Sequence, residues 1–426
     1  MTFLVNPYVF GGGGAVAAGD ALAYRSSDYA IPSADGSPIP FNAESYDPEG
    51  VHSLSVNTER FTTPETILAR FAGAYYSTDT NGAGYLMRKN GSIEHGSFYL
   101  PPRSSVADIN RKSCTSPIIS LSANDYMTMT KDGTGAVTVA SNFTWASLEV
   151  IDPAAKYAHV RKSTGQTFSG TQTVTFDTEV ADVGGWFDAG VSQEVLKVPS
   201  GVSVVRVGAS TGMATGGTTI SSTTKNTASF FGRSLRSQLV GRGQTIWSAP
   251  VEVSTGDEFR SRAFFAASDT AQANELTWFA IEEVPSTYAR ALMGKSGNQT
   301  ISGATDTLLT WDTEAYDTAS IHSNVTNTGV AVCPAGKTQC RISFNLGTDS
   351  INSGGTVTVE AKKNGSYVPG LPNDTTSYTT NTSRFLNATG GWVDCVPGDQ
   401  FSVRIFCSEG AIVLAGDFTW FAVEFR

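Results

Sequence analysis

Three stretches of the chain end alike, and no other feature restricts the fold as strongly. They are Asn142-Phe143-Thr144-Trp145-Ala146-Ser147-Leu148-Glu149-Val150, Glu275-Leu276-Thr277-Trp278-Phe279-Ala280-Ile281-Glu282-Glu283 and Asp417-Phe418-Thr419-Trp420-Phe421-Ala422-Val423-Glu424-Phe425. Each alternates large apolar with small or polar residues around Thr-Trp, the period of two that a strand with a buried face requires. Asp125, Asp257 and Asp399 precede the tryptophans by 20, 21 and 21 residues, each behind Asn or Gly and ahead of an alternating run. That pattern predicts a turn and the penultimate strand of a closing hairpin. A third block, Asn57-Thr58-Glu59, Asp177-Thr178-Glu179 and Asp312-Thr313-Glu314, opens the repeats. It leads into a proline turn and a strand carrying one arginine, Arg70, Arg206 or Arg341.

The opening glutamates are 120 and 135 residues apart, too far for a solenoid and right for a sandwich that folds as a unit. The reading is an all-β chain of three tandem jelly-roll sandwiches, residues 46–153, 154–285 and 286–426, behind an extended N-terminal arm, residues 1–45. With 43 glycines and only 16% charged residues in 426, the composition suits many short strands joined by turns. Lys89-Asn90-Gly91 and Lys363-Asn364-Gly365 read as hairpin tips in the first and third copies. The second copy has no such turn, and Val240-Gly241-Arg242-Gly243 stands as its loose counterpart.

The arm carries Phe3, Pro7, Tyr8 and Phe10, then Gly11 to Gly14, then Pro32, Pro38 and Pro40. It holds too few apolar residues for a core, and ordering a glycine-rich segment costs entropy. It is expected to lie on a partner through Phe3, Pro7, Tyr8 and Phe10; packing on its own first sandwich is the alternative.

A net charge of −10 without a dense basic run argues against a nucleic-acid partner. No run is long and apolar enough for a membrane helix, and the N-terminus lacks signal-peptide features, so synthesis and retention in the cytoplasm are expected. Cys114, Cys333, Cys340, Cys395 and Cys407 read as buried thiols, with a Cys333–Cys340 or Cys395–Cys407 bridge left open. His52, His95, His159 and His322 are scattered, so neither a metal site nor a cofactor is expected. Gly294-Lys295-Ser296 and Gly336-Lys337-Thr338 imitate a nucleotide-binding loop, but Ala289 and Ala331 stand where its first glycine belongs. A glycosidase pair could be assembled from Asp177, Glu179, Asp182 and Asp188, yet recurrence of the block favours a structural role, and no enzyme is expected. Trp145, Trp278 and Trp420, placed identically on a buried-face strand, point to packing more than to sugar stacking. The tryptophans not shared among copies supply the candidate exposed ligand patch, Trp186 and Trp392 with Tyr378.

The Pro-x-Gly turn, the Lys-Asn-Gly hairpin, the Gly398-Asp399-Gln400-Phe401 step and the final Trp420-Phe421-Ala422-Val423 strand resemble the jelly-roll heads of the complement and tumour necrosis factor type. The likeness covers residues 46–426 loosely and is best in the third copy. Similar domains occur in tailed-bacteriophage fibres and decorations, and Asn6-Pro7-Tyr8-Val9-Phe10-Gly11-Gly12-Gly13 looks like phage virion N-termini. The resemblance implies a homotrimer and a virion structural protein whose arm contacts other virion proteins. Host receptor or glycan binding is the alternative, and polysaccharide hydrolysis comes after that.

Overall fold

The computed structural model describes residues 20–77, 83–100, 110–132, 137–214, 217–226, 229–238, 243–350, 355–377 and 384–426. Phe3, Pro7, Tyr8, Phe10 and Tyr378 lie outside them. The described residues form three antiparallel sandwiches, each with its own apolar core.

One sheet has the same build in every copy. An opening strand (Ala21–Tyr24, Tyr157–Lys162, Ala289–Gly294) lies beside a closing strand (Trp145–Ile151, Asn274–Glu283, Trp420–Phe425). A long central strand follows (Ile67–Ser77, Val204–Gly212, Gln339–Ser350), then an axial strand (Asn110–Thr115, Gly243–Trp247, Arg384–Thr389). Alternation sends one face of these strands into the sandwich core, for example Phe71 and Leu148, Val207 and Ile281, Ile342 and Val423. The other face carries the three arginines and the repeated tryptophans, which are also buried.

The register moves the start of the first copy. Ala21, Ala158 and Ala291 pair with Leu148, Ile281 and Val423, so the first sandwich begins at Asp20, and residues 20–45 belong to it instead of to an arm. Ala21, Ala23, Ile31, Ile39 and Phe41 enter its core. The opening block of that copy is Asn42-Ala43-Glu44, not Asn57-Thr58-Glu59. Asn42, Asp177 and Asp312 each accept the backbone N–H two residues past the opening strand's last shared position, from Ser26, Ser163 and Ser296 at 2.8, 2.5 and 2.7 Å. Glu44, Glu179 and Glu314 then fall 135 residues apart both times (179 − 44 and 314 − 179).

The hairpin tip of the second copy is also displaced, to Lys225-Asn226. Asn90, Asn226 and Asn364 all adopt positive φ, at 50°, 48° and 50°. Their amides donate to Asp125, Asp257 and Asp399 at 2.7, 2.8 and 2.7 Å, and Lys89, Lys225 and Lys363 pair with the same carboxylates. The recurring aspartate therefore clamps a left-handed asparagine, which tolerates φ > 0 better than other side chains. All five cysteines are buried thiols; the two in contact are Cys333 and Cys395, with sulfurs 3.3 Å apart, instead of either pair proposed from spacing.

Candidate functional site: the three-way junction

Each central-strand arginine stands opposite a closing-strand glutamate: Arg70 and Glu149, Arg206 and Glu282, Arg341 and Glu424. Within the copies Arg70 meets Glu149 at 2.7 Å and Arg206 meets Glu282 at 2.6 Å. Each arginine also reaches the next copy. Arg70 pairs with Glu282, Arg206 with Glu424 at 2.6 Å, and Arg341 with Glu149 at 2.8 Å. Arg341 closes on its own Glu424 at 3.4 Å. Six alternating charges thus form a closed ring that runs from the first copy to the second, the third and back, giving the chain a threefold pseudo-axis.

Burying charge is costly unless the partners are complete. Burial alone would raise the Glu149 carboxyl, but Arg341, Arg70 and Arg426, with a 2.7 Å bond from the Trp392 indole, hold it well below the usual carboxylate range. Glu424 is likewise held low by Arg206 and Arg341 against its burial. The ring cross-links the three copies.

Around this ring the seams differ. Trp247 of the second copy donates its indole N–H to Thr115 O of the first at 3.0 Å, and exchanges two bonds with Asn387 of the third. Gly208 is required there, because a Cβ would meet the Trp247 ring at 2.6 Å. Tyr46 of the first copy bonds Trp392 O of the third, and Tyr316 of the third bonds Pro250 O of the second.

Two of the three residues of the proposed exposed patch, Trp186 and Trp392, are buried. Trp186 is 1% accessible, with its indole bonded to Val183 O, and Trp392, also 1% accessible, sits under Arg341 and Arg426 at the junction. These aromatics are unshared because they fill places where the copies meet, or where a loop closes, differently. Trp145 and Trp278 are fully buried outside the sandwich cores, Trp145 beside Tyr367 of the third copy and Trp278 beside Trp247 and Ala280 of its own; Trp420 is 6% accessible. Three of the four carboxylates considered for hydrolysis are occupied: Asp177 accepts Ser163 N, Asp182 accepts Gly185, Trp186 and Phe187 N, and Asp188 accepts Gly190 N. Lys295, in the nucleotide-loop imitation, bonds Gln299 and Thr310 O, as Lys162 does Gln166 and Thr175 O in the second copy. No group of three or more metal-ligating side chains occurs among the described residues, nor a helix long and apolar enough to cross a membrane. The sequence reading placed the arginines but missed the ring; its signal was a Glu four residues after each repeated tryptophan, at Glu149, Glu282 and Glu424.

No family model and no curated protein matches the chain. Among solved structures, murine APRIL is 10% identical with a TM-score of 0.25, covering 30% of this chain and 99% of its own. Eiger TNF from S. frugiperda is 15% identical with a TM-score of 0.23, covering 32% and 95%. A triple jelly roll from the turret assembly of an archaeal virus is 9% identical with a TM-score of 0.19, covering 84% and 83%. Likenesses this weak carry nothing about function, and the fold stands on the chain's own pairing.

Proposed function

We propose that the chain is a non-enzymatic virion structural protein, a bacteriophage fibre or decoration, that joins other virion proteins through the residues ahead of Asp20. The observation that supports this reading is the closed charge ring, by which one chain holds three jelly-roll sandwiches together behind the residues ahead of Asp20. Asp20, the first residue of the first sandwich, pairs with Arg426 of the third copy beside Glu149 of the ring. Removing residues 2–19, and not 2–45, should leave the three sandwiches folded and abolish incorporation into particles. Incorporation of the truncated chain would refute the docking role.

One chain supplies the three heads that the resemblance distributes over three chains. A solution mass of 44.9 kDa supports the single-chain head, and three times that mass would restore the homotrimer. The second reading, recognition of a host receptor or glycan, is favoured by one observation, a cavity beside Trp420. Hydrolysis is the least supported, since Asp177, Asp182 and Asp188 are committed to capping backbone turns.

A further inference from the structure

The register position facing the repeated tryptophan is Tyr24 in the first copy, Arg161 in the second and Gly294 in the third. Across the opening strand the same position meets Ala43, Thr178 and Thr313. This position is a glycine in the third copy only, and a cavity of about 380 Å³ lined by Gly294 and Thr313 lies there. Its apolar wall is Trp420 and Leu292, with Ala249 from the second copy. Its polar side holds Thr313, Glu314 and Asp417. Trp420 is accordingly the one repeated tryptophan with accessible surface, at 6% against 0% for the other two.

We propose that this cavity binds a neutral hexopyranose residue of a surface glycan. The inference rests on the glycan-binding reading above and gives it a location. An indole beside aliphatic carbon suits the C–H face of a sugar ring, and carboxylates and a hydroxyl on the other side accept and donate to its hydroxyls. Two carboxylates line the cavity against one ammonium, and Lys295 already spends its donors on Gln299 and Thr310, so an anionic sugar or phosphate is disfavoured. Glu314 gives one oxygen to His322 at 2.7 Å and keeps the other.

The internal repeat supplies the blocking variant. Gly294→Tyr with Thr313→Ala writes the Tyr24 and Ala43 pair of the first copy into the third, and Thr313→Ala removes the hydroxyl that a Cβ at Gly294 would meet at 2.8 Å. Asp417→Ala is a second, exposed variant that leaves the packing alone. Saturation-transfer NMR and calorimetry on the full chain with methyl α-D-glucopyranoside, methyl β-D-galactopyranoside and N-acetylglucosamine should show at least one binding in about the millimolar range. The double variant should lose about tenfold or more, and Asp417→Ala severalfold, with unchanged circular dichroism. Binding of none of the three, or equal binding by both variants, overturns the site. Host glycans captured on an array by both wild type and double variant would overturn this pocket while leaving the receptor reading standing; capture by neither would sink both.

Discussion

The seam between the third and first copies and the seam between the first and second perform the same task with different materials. The chain itself crosses from the first copy to the second, through residues 152–156, but no covalent link joins the third copy to the first. Among the described residues the unlinked seam carries a set of polar bonds. Trp145 donates to Tyr367, which also receives Asn373; Ser113 and Asn373 exchange bonds; Arg111 pairs with Glu360 and lies over Phe143; Asp20 grips Arg426. A ladder bridge between Lys112 and Asp374 even joins the two copies' sheets. The linked seam is drier. His95 and His159 are buried there without a hydrogen-bond partner among the described residues, and the Trp278 indole against His159 has none either. A linker raises the effective concentration of two surfaces at no cost in specificity. Where it is missing, polar complementarity has to close the ring.

Breaking the ring should therefore expose the asymmetry most strongly. Arg341→Ala removes the ion pair across the unlinked seam and uncovers Trp392, and should cost on the order of 3–5 kcal/mol in denaturant unfolding. Arg70→Ala, across the linked seam, should cost less, and equal losses would dissolve the distinction. Acid should single out the dry seam. Burial pushes His95 down to about 4 and His159 to about 3, with Lys89 and Arg161 adding repulsion. Unfolded imidazoles titrate near 6.5, so below that pH the unfolded chain binds more protons and stability falls as pH drops toward 4. At pH 4.5 the loss is on the order of 2 kcal/mol per histidine. Leucine at both positions should flatten the acid limb of a pH–stability profile, and an unchanged limb would assign acid sensitivity elsewhere.

How far the sequence could be read follows from the same contrast. Alternation along Trp420–Phe425 and the spacing of Asp399 reflect local strand and turn physics, and they led to three sandwiches. The junction is set by what the copies do to each other. Arg70 and Glu149 are 79 residues apart in the chain and directly opposite in the sheet, and Arg70 and Glu282 belong to different copies. Nothing local distinguishes a tryptophan that fills a seam, such as Trp392, from one that faces solvent. The first copy's start was misplaced because Asn57-Thr58-Glu59 matches the opening block in letters, while Asn42-Ala43-Glu44 matches it in bonding.

A smaller change tests whether the unlinked seam depends on satisfied polar groups or only on packing. Tyr367→Phe keeps the ring that stacks on Phe143 at 4.5 Å and removes the hydroxyl that accepts from Trp145 and Asn373 and donates to Leu371. Two buried donors then lose their acceptor, and the cost should be about 1–3 kcal/mol in thermal or denaturant unfolding.

The smallest effect belongs to a feature present in all three copies, the clamp at each sandwich's own hairpin tip. Asn226→Ala leaves a non-glycine residue at φ 48° and deletes both the bond to Asp257 and the bond accepted from Glu258 N. Loss of about 1–2 kcal/mol is expected, with Asn226→Gly recovering the backbone part alone. Because this clamp lies in the second sandwich's own hairpin, its cost should add to that of Arg341→Ala within about 0.5 kcal/mol. Strong coupling between the two would mean that a hairpin tip and the ring unfold together, and the copies would then be one cooperative body instead of three sandwiches held at a junction.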